Sequence, residues 1–270
     1  MGHVMSTGIE WTDETWNPVT GCDKVSPGCD HCYAETIAHR FDGTPAYPNG
    51  FKVTLHPERL ERPLHWTRPR MVFVNSMSDM FHADIPDEYI TRVFAVMALA
   101  PQHTFQILTK RHARMKSLLT SDAFKVAVFD AAWNLRPGPL LTSWPLPNVW
   151  LGVSAEDQRW ANLRIPALLH TPAAIRFVSA EPLLGPIDLA SPGLLALDEF
   201  DLGINWVIVG GESGNGARPM APDWVRSLRD QCDDAGVAFF FKQWGGRSPK
   251  ANGKTLDGRT HLEFPQAVTA

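Results

Sequence analysis

The sequence predicts an α/β fold: a partial (β/α)6-type barrel with parallel strands. Three observations carry that expectation. Short, almost wholly apolar runs recur along the 270 residues, and near-continuous apolarity over five or six residues marks strands buried on both faces, as in a parallel sheet. Amphipathic stretches, with apolar residues three and four apart, lie between the runs. Each run also ends in small or polar residues, as expected where strands deliver side chains to a shared mouth. A doubly wound open sheet satisfies the same alternation, and periodicity alone does not separate the two.

The elements follow in order. A first strand is expected near Trp16–Thr20, and Cys32–Phe41 (CYAETIAHRF) reads as a helix. Met71–Met77 (MVFVNSM) is a strand, followed by a helix over Asp87–Leu99. That helix opens on Pro86-Asp87 and repeats Ile90, Val93, Phe94 and Met97 at helical spacing. Thr104–Thr109 (TFQILT) is a strand and His112–Leu119 a helix. Residues 124–147 contain Pro137, Pro139, Pro145 and Pro147 and read as a loop insertion. Val149–Ser154 (VWLGVS), a helix over Glu156–Leu169 and Ile175–Ser179 (IRFVS) restore the rhythm. A second loop insertion is expected at 190–201. Trp206–Gly210 (WVIVG), a helix over Pro222–Ala235 stopped by Gly236, and Ala238–Lys242 (AFFFK) complete the alternation. Residues 245–270, rich in Gly, Lys and Arg, read as a loosely packed C-terminal extension. Because strand and helix alternation resumes after each insertion, residues 1–270 are expected to form a single domain.

Composition narrows the function classes. Hydrophobic residues make up 44% and charged residues 20%, enough for a full core and incompatible with global disorder. A net charge of −4 and a pI near 6.2 carry no global basic character that would advertise nucleic acid. No apolar run has the length of a membrane span, so no membrane association is expected. Met1–Glu10 lacks the basic and apolar regions of a secretory signal, and a cytoplasmic location is expected. In that compartment thiols stay reduced, and clustered cysteines point to metal or catalysis. The ten tryptophans are spread along the chain and read mainly as core filling and loop anchors.

Three of the four cysteines are so clustered: Cys22, Cys29 and Cys32, spaced C-x6-C-x2-C and followed by Tyr33. A closed structural zinc site takes four ligands, so three thiolates leave one position open. Two readings stand at this point. In one, the thiolates hold three irons of a 4Fe–4S cluster, and the fourth iron binds the amino and carboxylate groups of S-adenosylmethionine. An electron then cleaves the sulfonium, and the resulting 5′-deoxyadenosyl radical abstracts hydrogen from substrate. In the other, the metal is zinc, with His31, His39 or Cys232 as fourth ligand, in a nucleic-acid-binding protein without catalysis. Cys232 falls within the last helix and reads as a buried structural cysteine. Histidines 56, 65, 82, 103, 112, 170 and 261 have no metal-ligand spacing and read as loop or surface residues.

The strand ends carry the remaining candidates. They are Asn75, Ser76, Ser78 and Asp79; Thr109, Lys110 and Arg111; Ser154, Glu156 and Asp157; Ser179 and Glu181; Gly210, Gly211, Glu212 and Ser213; and Lys242, Gln243 and Trp244. Ser154, Ser179 and Asp79 have helix capping as the plain alternative, and Gly210-Gly211 reads as a tight turn or a close backbone approach to a ligand. Glu156, Glu181 and Glu212 are expected to converge on one cavity, compensated by Lys110 and Lys242. Lys110, Arg111, Arg114, Arg218, Lys242, Arg247 and Lys250 are candidates for an anionic-substrate surface, with scattered solubility charge as the alternative.

Ile9–Tyr33 (IEWTDETWNPVTGCDKVSPGCDHCY) resembles the radical S-adenosylmethionine superfamily, and more narrowly an uncharacterised family widespread in bacteriophages and bacteria. Further matching blocks are Asn75–Phe81, Leu108–Arg111, Gly152–Glu156, Ser179–Leu183, Gly210–Gly214 and Phe241–Gly245. The resemblance implies a partial barrel, a 4Fe–4S cluster held by Cys22, Cys29 and Cys32, and S-adenosylmethionine as the cleaved cofactor. It places Ser76, Ser78 and Asp79 near the methionine amino group, Ser154 and Glu156 near the ribose or carboxylate, and Glu181 and Glu212 at the cofactor or substrate. Lys110, Glu212 and Lys242 are then the candidate catalytic residues. It further implies an electron donor of flavodoxin or ferredoxin type, and a nucleobase, nucleoside or DNA substrate in phage-type DNA modification or repair, with a peptide or metabolite as alternative. Whether the reaction is a lyase, isomerase or transferase type is left open. The cysteine motif departs from the superfamily's usual C-x3-C-x2-C: its first gap is three residues longer, and His31 replaces the usual aromatic residue.

Overall fold

The structure, a computed structural model, describes residues 7–138, 143–190, 194 and 203–266. Its elements in chain order are β1 (Glu14–Trp16), β2 (Val19–Thr20), α1 (Tyr33–Arg40), β3 (Thr54–Leu55), β4 (Met71–Val74), α2 (Asp87–Leu99), β5 (Thr104–Thr109), α3 (His112–Leu119), α4 (Asp122–Leu135), β6 (Val149–Ser154), α5 (Gln158–Leu169), β7 (Ile175–Ala180), β8 (Trp206–Gly210), α6 (Pro222–Ala235) and β9 (Ala238–Gln243). Seven strands form one open sheet in the order β1-β4-β5-β6-β7-β8-β9, while β2 and β3 pair antiparallel. This is the α/β, parallel-stranded partial-barrel class that the alternation predicts. Among the described residues no helix is long and apolar enough to cross a membrane.

The chain divides into two compact units: Met1–Asp23, Ala34–Leu151 and Thr171–Ala174 in the first, and Lys24–Tyr33, Gly152–His170 and Ile175–Ala270 in the second. In the first unit β4 is flanked by β1 and β5 in parallel register, with Trp16 opposite Val74 and Val72 opposite Phe105. Trp16, Val72, Val74, Phe105 and Ile107 are all buried, each such apolar side chain contributing about 1.5–3 kcal/mol. Nine of the thirteen residues of α2 are buried, so the helix is covered on more than one face. One cover is α4, through Phe94 and Phe124, whose ring centroids lie 5.5 Å apart.

That cover corrects an expectation. Residues 124–147 read as a loop, but the helix α4 spans most of the first half. Phe124, Val128 and Ala132 form a buried i, i+4, i+8 stripe. Ser121 caps the start, its Oγ accepting from the Phe124 N–H. The prolines that suggested a loop begin only at Pro137, past the helix end at Leu135.

In the second unit β7, β8 and β9 are parallel, with Phe177 opposite Trp206 and Trp206 opposite Ala238. The helix expected from Glu156 starts at Gln158, because the Asp157 carboxylate accepts from the Trp160 N–H and fixes the cap there. Gly236 ends α6 in the left-handed conformation (φ +66°), as expected. The C-terminal segment is not loosely packed in its described part. Leu262 bridges to Phe240, the Phe241 N–H donates to His261 O at 2.8 Å and the Glu263 N–H to Phe239 O at 3.2 Å. The indole of fully buried Trp206 donates to Glu263 O, and the Phe264 ring lies 5.1 Å from it. An exposed β9 edge and a buried indole N–H both need partners, and this segment supplies them. The insertion expected at 190–201 lies outside the described residues except for Ala190 and Leu194.

Candidate functional site

In the first unit, β2 delivers Cys22 through Gly21. Gly21 has φ +86°, and a Cβ there would sit 2.2 Å from Lys52 O, so only glycine fits. Its N–H donates to Met77 O at 3.0 Å, and the Cys22 N–H to Phe51 O at 3.2 Å. Arg111 Nη2 lies 3.6 Å from Cys22 Sγ and donates to Asp23 O, which sets a positive charge beside the sulfur.

The polar residues after β4 are held close to the backbone. Ser76 Oγ donates to Asn17 Oδ1, and Ser78 Oγ to Val19 O. Asp79 is buried and accepts from the Phe81 N–H, the Thr109 hydroxyl at 2.7 Å and the Lys110 N–H at 2.9 Å. It therefore ties the end of β4 to the end of β5 instead of capping a helix. Lys110 Nζ has no ion-pair partner among the described residues. Arg114 donates to the carbonyls of His82 and Ile85 and to Asp87, so it is a loop anchor and not part of an anionic-substrate surface.

The histidines need correction. His56, His82 and His103 lie in loops, as expected, but they are buried and not on the surface. His56 meets the Thr20 hydroxyl at 2.8 Å, and burial lowers its pKa from the ordinary 6.5. His82 Nδ1 accepts from the Asp84 N–H, which leaves Nε2 to donate to Asp23 at 3.1 Å. Spacing could not reveal this group, because Asp23 and His82 are distant in sequence.

In the second unit, Cys29 closes a one-turn 3-10 helix over Pro27–Cys29, its N–H donating to Ser26 O at 2.8 Å. Cys32 directly precedes Tyr33. None of residues 24–33 is buried, so apolar burial cannot hold this loop. Two carboxylates from strand ends do. Glu156, with no exposed surface, accepts from the Gly28 N–H at 3.3 Å through Oε1 and from Arg164 at 2.8 Å through Oε2. Arg164 is equally buried, donates to Ser154 O and lies 4.1 Å from the Trp160 ring.

Glu212 holds the other side of the loop. It binds His31 Nδ1 at 2.9 Å and is gripped by Arg218 through the side chain and the backbone N–H. Arg218 also reaches Asp30 Oδ2 at 3.2 Å and Pro27 O at 2.8 Å. Burial alone would raise the Glu212 carboxyl. Hydrogen bonds from Arg218 and His31 overcome it and hold the group at about 2, against an ordinary 4.5. Glu212 is aimed by two laced turns. A Cβ at Gly211 would lie 2.0 Å from Trp244 O, one at Gly245 would lie 2.1 Å from Glu212 O, and the Gly246 N–H donates to Glu212 O.

The third carboxylate, Glu181, pairs with Lys242 at 2.8 Å and accepts from buried Ser179 Oγ. Here too the glycine reading sharpens, since a Cβ at Gly210 would lie 2.7 Å from Glu181 Oε1. The three glutamates thus do not rely on Lys110 and Lys242 for common compensation. Each has its own cation: Arg164 for Glu156, Lys242 for Glu181 and Arg218 for Glu212. Arg218 and Lys242 are consequently engaged and do not form an open anionic-substrate surface. Sequence reasoning missed Arg164 altogether; its only signal is a charge within the apolar stripe Ala161, Ile165 and Leu168. Ser154 and Ser179 are buried and cap no helix. Cys232 is fully buried in α6, and burial pushes its thiol up to about 12, which bears out the structural reading.

A family model described as "Protein of unknown function (DUF5131)" matches residues 6–265. No curated protein and no solved structure matches the chain.

Proposed function

The chain belongs to that family of unknown function, and we propose that it is a radical S-adenosylmethionine enzyme whose 4Fe–4S cluster is held by Cys22, Cys29 and Cys32. The observation that supports this reading most is the polar clamp on the loop bearing Cys29 and Cys32. Two carboxylate–arginine pairs hold in place a segment that has no buried side chain of its own. Such investment suits a loop that must present ligands. The donor set also fits: all three cysteines are half-buried thiols, not disulfides, and sulfur donors suit an iron–sulfur cluster. Cys232, sealed in α6, is no fourth ligand.

When bound, the cluster supplies the electron that cleaves the cofactor's sulfonium, and the cofactor supplies hydrogen abstraction from carbon. The chain's own residues have separate tasks in this reading. Glu156 and Glu212 fix the cysteine loop, which departs from the expectation that Glu156 touches cofactor and that Glu212 is catalytic. Arg111 sets positive charge at Cys22. Lys110, lacking an ion-pair partner among the described residues, is the side chain best suited to a polar or anionic substrate group. The proposed substrate is a nucleobase, nucleoside or DNA, and the proposed reductant is of flavodoxin or ferredoxin type.

Anaerobic reconstitution with iron and sulfide tests the reading. A four-iron cluster and reductant-dependent release of 5′-deoxyadenosine support it. Stoichiometric zinc without cluster uptake overturns it in favour of a zinc-stabilised binding protein. Incubation with DNA or modified nucleosides, read as a mass change, then separates this substrate class from peptides and metabolites.

A further inference from the structure

We infer that Arg218 is a positioning residue that presets the arm carrying Cys29 and Cys32 before any metal arrives. This rests on the reading of those cysteines as cluster ligands. One guanidinium makes three kinds of contact at once: both oxygens of Glu212, the Asp30 carboxylate and the Pro27 carbonyl. Pro27 and Asp30 bracket Cys29, and Glu212 reaches the residue before Cys32 through His31. Arg218 thus ties the loop on both sides of one sulfur and next to the other.

With no buried residue in 24–33 and only one turn of 3-10 helix, the loop belongs to the kind of segment that opens locally at low cost. The tie from the Gly28 N–H to Glu156 is a single hydrogen bond. The planar fork of arginine serves several acceptors in fixed geometry, whereas a lysine ammonium is a point charge that cannot span them. Glu212 is nearly buried, while Arg218 is about a third exposed. The acid is therefore the fixed member of the pair, and the arginine spans from it to the loop.

The test is made on the metal-free full chain. Each cysteine's alkylation rate with iodoacetamide is followed by peptide mass spectrometry, with amide exchange of residues 26–31 measured in parallel. In Arg218→Ala, Cys29 and Cys32 should react about tenfold faster, the order expected when charge-assisted ties are lost from a locally opening segment. Cys22, anchored separately through Gly21 and Arg111, should stay within about twofold as judged against the same scale. Arg218→Lys should resemble the alanine variant. After reconstitution it should retain less iron and give a broadened spectrum of the reduced cluster, with Cys232 still protected from alkylation. Wild-type rates at Cys29 and Cys32 in Arg218→Ala, or full rescue by lysine, overturn the inference.

Cys232, buried in α6, reports global unfolding. If it becomes reactive in Arg218→Ala, then Arg218→Lys and Asp30→Ala decide, and wild-type rates in both refute the inference. The two proposals fail separately. Selective loop opening without any cluster in the wild type removes the enzymatic reading, whereas normal cluster chemistry with unchanged alkylation removes the role of Arg218.

Discussion

Replacing Glu156 with glutamine should destabilise the protein by about 3–5 kcal/mol, the usual cost of removing one partner from a buried ion pair. Glu156 and Arg164 have no side-chain exposure, so no solvent screening reduces the figure. The amide keeps the shape and an acceptor for the Gly28 N–H but leaves the Arg164 charge uncompensated. The double variant Glu156→Gln/Arg164→Met should lose less, about 1–2 kcal/mol, because the charge is gone and mainly the bond to Ser154 O is left unmade. Urea unfolding followed by tryptophan fluorescence measures both, with the midpoint read at constant slope. A Glu156→Gln protein within about 1 kcal/mol of wild type, or a double variant worse than the single, would refute the assignment of Glu156 to a buried structural pair. Amide exchange at Gly28 adds a local readout and should accelerate in the single variant.

Two more outcomes are expected. The Glu212 carboxyl is depressed in the folded state to about 2 from 4.5, so it contributes stability above pH 4.5 that is lost as pH falls toward 2. The difference between wild type and Glu212→Gln should be flat above that window and shrink through it. It should amount to about 1–3 kcal/mol once the partial exposure of Arg218 and His31 is allowed for, and a pH-independent difference in urea titrations would remove the ionic clamp. Phe264→Ala removes a ring packed on Trp206 and Phe240 at 5.1 and 5.5 Å. Because that ring is partly exposed, the cost should be about 1–2 kcal/mol, and an unchanged unfolding midpoint would return the C-terminal segment to a loose extension.

What could be read from the residues alone follows from the range of the forces involved. β5 and β6 were legible because an apolar run bounded by polar residues is a local pattern, and α6 because Gly236 stands where the helix must stop. α4 was obscured by weighting Pro137–Pro147 over the Phe124, Val128, Ala132 stripe before them. At the site, the glutamates stood out as costly charges at strand ends. Their true counterions did not, because Arg218 acts through a folded turn and Arg164 through burial. The clamp on the cysteine loop was equally hidden: its contacts join residues such as Gly28 and Glu156, which nothing local relates. His82 and Asp23 escaped for the same reason.

Cys22, Cys29 and Cys32 are proposed to hold a cluster that cleaves S-adenosylmethionine. The most direct measurement is 5′-deoxyadenosine released per protein after anaerobic reconstitution and reduction, compared between wild type and Cys29→Ala. Release is expected from the wild type and none from the variant, whose iron content should fall as well. Equal release from both, or a wild type that takes up zinc and no iron–sulfur cluster, would contradict it.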